Sequence, residues 1–188
     1  MLVMGNGSFN DLFKGDAQLP NIFPLETWPR HSKLYVPEAK ASAETVKWIA
    51  ERWKPAYKLY KENQKFKLAL DALDSAQFVS NPGLALVSIW AAMEQIFISG
   101  NKTELGFKLS TFIASYMEEP GELRLQQKKL VNTLYGARSK AAHGNKADLS
   151  NELLESFSLI RRILLKMIYF QSVPTDTQLE QLLFGTTS

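Results

Sequence analysis

The stretch from Leu134 to Lys146, LYGARSKAAHGNK, places Arg138, Ser139 and His143 within six positions. Those residue types suit phosphodiester chemistry without a metal. A guanidinium is planar, forked and permanently charged, so Arg138 would clamp a phosphate and stabilise the charge that develops on it. An imidazole titrates near neutrality, so His143 would take a proton from a ribose 2′-OH or give one to the leaving 5′ oxygen. On RNA the product would be a 2′,3′-cyclic phosphate. The same residues also carry a plain structural reading, in which His143 satisfies the last carbonyls of a helix and Arg138 pairs with a surface carboxylate. Spacing alone leaves both open.

Helix geometry constrains the first reading. At about 100° per residue, the five steps from Arg138 to His143 leave the side chains about 140° apart on an unbroken helix. Two routes would bring them together. The helix could fray before Gly144, a glycine placed as at a helix C-terminus, and release His143 from the spiral. Alternatively, two-fold pairing of chains would line one cleft with the motifs of both copies. Ser139, four residues before His143, shares its face and could orient the ring, and Tyr135 lies one turn earlier on the same side. Between Glu122 and Asp148 there is no acidic residue, while Arg124, Lys128, Lys129, Arg138, Lys140 and Lys146 fall inside that window. Such a one-sign segment attracts a phosphate backbone, with Lys128, Lys129, Lys140 and Lys146 as candidates to hold it; the other reading is a solvated face.

The elements that must position these residues read as helices. Residues 1–36 mix Gly5, Gly7, Gly15, Pro20, Pro24 and Pro29 with scattered aromatics and form an irregular arm, in which GNGSFND resembles a turn between strands. From residue 37 to 188 the pattern is all-α. Pro37 and Glu38 suit a first turn, with Val46, Ile49, Ala50 and Trp53 at helical spacing. Pro55 should kink or restart the helix, which then runs to about Phe78. LALVSIWAAMEQIFI is apolar on nearly every side, as in a helix at the centre of a bundle. Asn101 and Glu104 have capping-box spacing for a helix ending near Met117. The next helix begins near Gly121 and carries the motif, Ser150 is placed to cap its successor, and Pro174 to end that one. The expectation is a bundle of four to five main helices with a short C-terminal helix, TQLEQLLFG.

ARSKAAHG resembles the R-x4-H motif of HEPN domains. LYGARSKAAHG is similar in particular to the ApeA-like HEPN group, as is WAAMEQIFISGNKTELGFKLSTFIA upstream, with its glutamate in the central helix. The likeness covers roughly residues 40 to 185. It implies a helical bundle that dimerises with two motifs in one cleft. It also implies metal-independent endoribonuclease activity in toxin, abortive-infection or antiphage defence, with a sensor domain or antitoxin as further partner. Carried over by position, Arg138 and His143 match the catalytic pair. Ser139 stands where many HEPN domains have Asn, Asp or His, and Lys146 where some HEPN toxins carry a modifiable tyrosine. Glu94, a lone carboxylate within an apolar helix, is costly to bury unpaired; it would orient Arg138 or else meet water at the bundle's edge.

Composition narrows the alternatives. The 188 residues, 45% hydrophobic, allow one sizeable core. The absence of cysteine excludes disulfides, thiolate metal sites and a cysteine nucleophile. The two histidines do not readily make a transition-metal site, and neither GxxxxGK nor HExxH is present, so no cofactor or metal is expected. Lacking a signal-peptide pattern and any long apolar run, the chain reads as cytoplasmic and free of membrane. A net charge of +3 tolerates an anionic partner, here RNA, without demanding one. Two further readings stand beside a nuclease: a non-catalytic HEPN module binding RNA, nucleotide or protein, and an interaction domain using the TQLEQLLFG tail.

Overall fold

Ser42 opens the helical part by accepting the Thr45 amide on its hydroxyl at 3.1 Å, which satisfies one of the orphan donors of the first turn. The computed structural model describes residues 42–100, 104–143 and 148–185, together with the backbone of two three-residue strands. Those strands, β1 (Val3–Gly5) and β2 (Ile22–Pro24), pair antiparallel with Met4 opposite Phe23. The rest of the arm, including Pro37 and Glu38, lies outside the described residues. The helices are α1 (Ala43–Glu62), α2 (Gln64–Ser75), α3 (Pro82–Phe97), α4 (Leu105–Met117), α5 (Glu122–Ala142), α6 (Ser150–Phe170) and α7 (Asp176–Phe184). The fold is an all-α helical bundle.

Helix α3 lies at its centre. Leu86, Ile89, Trp90, Met93, Ile96 and Phe97 are buried along it, and it touches α2, α5 and α6, as its all-round apolar sequence requires. It runs antiparallel to α5. A Cβ on Gly83 would meet the Ala141 methyl at 3.5 Å, and farther along the pair the Trp90 and Tyr135 rings make an edge contact at 5.4 Å. The Trp90 indole N–H donates to Ser156 Oγ of α6 at 3.0 Å, giving the buried ring its polar partner.

Four boundaries differ from the sequence expectation. Helix α1 continues through Pro55, and the break falls at Asn63, whose extended backbone leaves α1 while its side chain accepts the Phe66 amide and starts α2. Glu104 enters α4 at φ 56° and makes no side-chain cap bond; Asn101 lies outside the described residues. Ser150 is the first residue of α6, and the cap comes from Asp148, whose Oδ1 accepts the Ser150 amide at 3.0 Å and hydroxyl at 2.7 Å. These two bonds to the charged form hold the Asp148 carboxyl below its ordinary range. Helix α6 stops at Gln171, at φ 54°, three residues before Pro174, with Ser172 N donating to Met167 O in a Schellman closure.

The C-terminus of α4 is held by cations from other helices. Lys166 of α6 donates to Tyr116 O at 2.6 Å. Arg124 of α5 donates through Nε to Glu118 O at 2.8 Å and through Nη1 to Leu182 O at 3.0 Å. Orphan carbonyls at the negative end of a helix dipole are thereby satisfied.

Candidate functional site

The motif helix α5 ends where the sequence places His143. Ala142 is its last residue, and His143, at φ −91° and ψ 13°, is the C-cap. The His143 amide still donates to Ser139 O at 3.3 Å and Lys140 O at 3.2 Å. Its Cα therefore remains on the helical spiral, and the chain departs only beyond it. The separation of about 140° between Arg138 and His143 stands, and fraying does not bring the two together within one protomer. His143 is exposed, and among the described residues its ring has no hydrogen-bond or ion-pair partner. The Ser139 hydroxyl makes no bond to it. Gly144 and Lys146 lie outside the described residues.

Arg138 points elsewhere. Helical side chains lean toward the N-terminus, and its guanidinium crosses to α3, where Nη2 lies 3.1 Å from Glu94 Oε1. The pair is largely withdrawn from solvent, with 22% of the arginine side chain and 12% of the glutamate exposed. The Tyr135 hydroxyl donates to the same oxygen at 3.1 Å, and the Arg138 guanidinium sits 5.5 Å from the Tyr135 ring centroid. Burial, followed by the charge of Glu94 and the bond to it, raises the Tyr135 pKa, with Arg138 opposing; the hydroxyl remains a donor. Arg138 Nε is buried without an acceptor among the described residues, so this donor of the guanidinium is unused.

The surroundings explain this geometry. Trp90 abuts Tyr135 from beneath, and Gly106 of α4 passes so close that a Cβ there would lie 3.2 Å from the ring. Neither residue was a candidate in the sequence. The signal for Trp90 was its position one helical turn before Glu94; Gly106 offered only the absence of a side chain near a helix start.

The basic window does not form one face. Arg124 is committed to the carbonyls of Glu118 and Leu182. The Lys128 ammonium lies over the Phe107 ring at 4.3 Å. Lys129 and Lys140 are exposed, yet both fall about 160–180° around α5 from Arg138. The structure thus brings Glu94, Tyr135 and Arg138 together and leaves His143, Lys140, Lys128 and Lys129 apart from them. Among the described residues no group of three or more His, Asp or Glu side chains could hold a metal, and no helix is long and apolar enough to cross a membrane. Comparison with protein-family models, with curated proteins and with solved structures finds no match to this chain.

Proposed function

We propose that the chain is a metal-independent endoribonuclease of the HEPN type, working as a homodimer in a toxin or antiphage setting. The observation that carries this reading is the withdrawn pair of Glu94 on α3 with Arg138 on α5, the helix whose exposed C-cap is His143. Glu94 and Tyr135 hold the guanidinium in one orientation and leave its remaining donors for a phosphate. The 2′ oxygen attacks the adjacent phosphorus, the bond to the 5′ oxygen breaks, and the negative charge on the phosphate oxygens meets Arg138. His143 of a second copy takes the 2′ proton, and the leaving 5′ oxygen takes a proton from solvent. The angular separation within one protomer is the reason for the second copy.

The test is cleavage of a mixed pool of labelled RNAs in excess EDTA by wild type, Arg138→Ala and His143→Ala, with product ends mapped. Cyclic-phosphate ends that vanish in both variants support the enzyme. An active His143→Ala protein removes His143 from the chemistry and with it this reading.

A non-catalytic RNA-binding module is the second reading, favoured by the placement of Lys129 and Lys140 away from Arg138. RNA affinity that falls steeply with salt and is unchanged in His143→Ala, without cleavage by a folded wild type, would establish it.

A further inference from the structure

We propose that the outer face of α1 is a docking surface for single-stranded RNA, separate from the Arg138 region and independent of whether the chain cuts RNA. Helix α1 buries no residue. Its half-buried residues are Arg52, Pro55, Ala56, Leu59 and Tyr60; Arg52 lies 5.3 Å from the Tyr169 ring centroid of α6, and the Tyr60 hydroxyl donates to Asp71 of α2 at 3.1 Å. Beside that face, Val46, Ile49, Trp53 and Tyr57 recur at helical spacing within a sector about 80° wide, and each is more than half exposed. Next in the same direction come Lys47, Lys54, Lys58 and Lys61, within a further sector of about 60°. Glu44, Glu51 and Glu62 follow only beyond them, Lys58 meeting Glu62 at 4.0 Å. The row adjoining the rings is therefore of one sign. Lys54 lies 5.8 Å from the Trp53 ring centroid and Lys61 5.9 Å from that of Tyr57.

A ring exposed to solvent with an ammonium against it is the arrangement by which proteins take up unpaired nucleotides: the base stacks on the ring while the cation meets its phosphate. Other occupants fit less well. A lipid surface calls for an apolar face broad enough to enter the acyl boundary, whereas only two of these four residues are aliphatic. Antiparallel pairing of two copies about a two-fold axis would set the two lysine rows side by side, like charge against like.

The test measures binding of a short fluorescein-labelled oligouridylate to full-length His143→Ala protein, used so that any cleavage cannot intervene. Wild-type α1 is compared with Trp53→Ala, Tyr57→Ala and the pair Lys54→Gln with Lys58→Gln. We expect Trp53 fluorescence to be quenched on binding and affinity to drop roughly tenfold for each ring removed. The lysine pair should make the dependence of log affinity on log salt shallower by about 0.7 for each charge lost. All these side chains lie on the surface, and unchanged circular dichroism verifies each fold. Unaltered affinity in every variant overturns the proposal, as does equal affinity for duplex RNA. Binding to anionic phosphatidylserine vesicles but not to the oligonucleotide, or a dimer that Trp53→Ala dissociates, overturns it in favour of a membrane or a second copy.

Discussion

Arg138 Nη2 lies 3.1 Å from Glu94 Oε1 across the α3–α5 interface, and both side chains are mostly withdrawn from water. Removing one partner strands the other charge in a site that water reaches poorly. Glu94→Ala should therefore cost about 3 kcal/mol in urea unfolding, at the lower end for buried pairs because both groups retain some exposure. Replacing both, Glu94→Leu with Arg138→Met, should recover most of that stability while leaving no guanidinium for a phosphate. A double variant as unstable as Glu94→Ala would mean that the loss does not come from a stranded charge.

Tyr135 holds its proton more tightly in the folded chain than in the unfolded one, because burial and the Glu94 carboxylate disfavour the phenolate more than Arg138 favours it. Its contribution to stability is thus fully present below about pH 10, the unfolded value, and is lost as pH rises through the higher folded value. Denaturant melts above about pH 10 should show Tyr135→Phe losing less stability with pH than wild type. Parallel losses would place the alkaline sensitivity elsewhere, for instance at Tyr116, whose pKa burial also raises.

Two helical glycines should respond oppositely to alanine. A Cβ on Gly136 meets nothing within 4 Å, so Gly136→Ala should stabilise α5 by about 1 kcal/mol through reduced unfolded-state entropy. At Gly106 the added carbon lies 3.2–3.3 Å from the Tyr135 ring, which is itself backed by Trp90. The propensity gain there should be cancelled or reversed by the displaced ring. Equal thermal shifts in the two variants would show that Tyr135 gives way freely.

If Arg138 and His143 meet only across two copies, inactive variants should complement one another. Arg138→Ala and His143→Ala proteins, each silent alone, should recover part of the cleavage activity when mixed and allowed to exchange subunits, because a mixed dimer holds one intact pair in trans. Persistent silence in a verified mixed dimer would exclude the shared-cleft arrangement.

The bundle was legible because its signals are local and redundant. Apolar residues cover α3 on nearly every side, and the motif helix is flanked by its caps Gly121 and His143, at or next to the glycines that punctuate the sequence. The failures came where one residue carried the signal. Asn63 breaks the helix through its own side-chain cap although Pro55 looked the stronger breaker, and Asp148 rather than Ser150 caps α6 because its carboxylate reaches two donors of the next turn. Within the site, Glu94 was conspicuous as a charge in an apolar run. The separation of the lysines from Arg138 was already implicit in their numbering, but the commitment of Arg124 to carbonyls of Glu118 and Leu182 arises between elements far apart in sequence. No local pattern encodes it.

Because α1 has no fully buried residue and ends at the Asn63 break, less apolar burial ties it to the bundle than ties α3. Its amides should be the first of the helical ones to exchange with deuterium, through an opening far cheaper than global unfolding, while those of α3 exchange last. The molecule is then energetically a firm bundle with one loosely latched helix. Any ligand that grips the outer face of α1 would be read out as slower exchange in that helix alone, with the Arg138 region undisturbed.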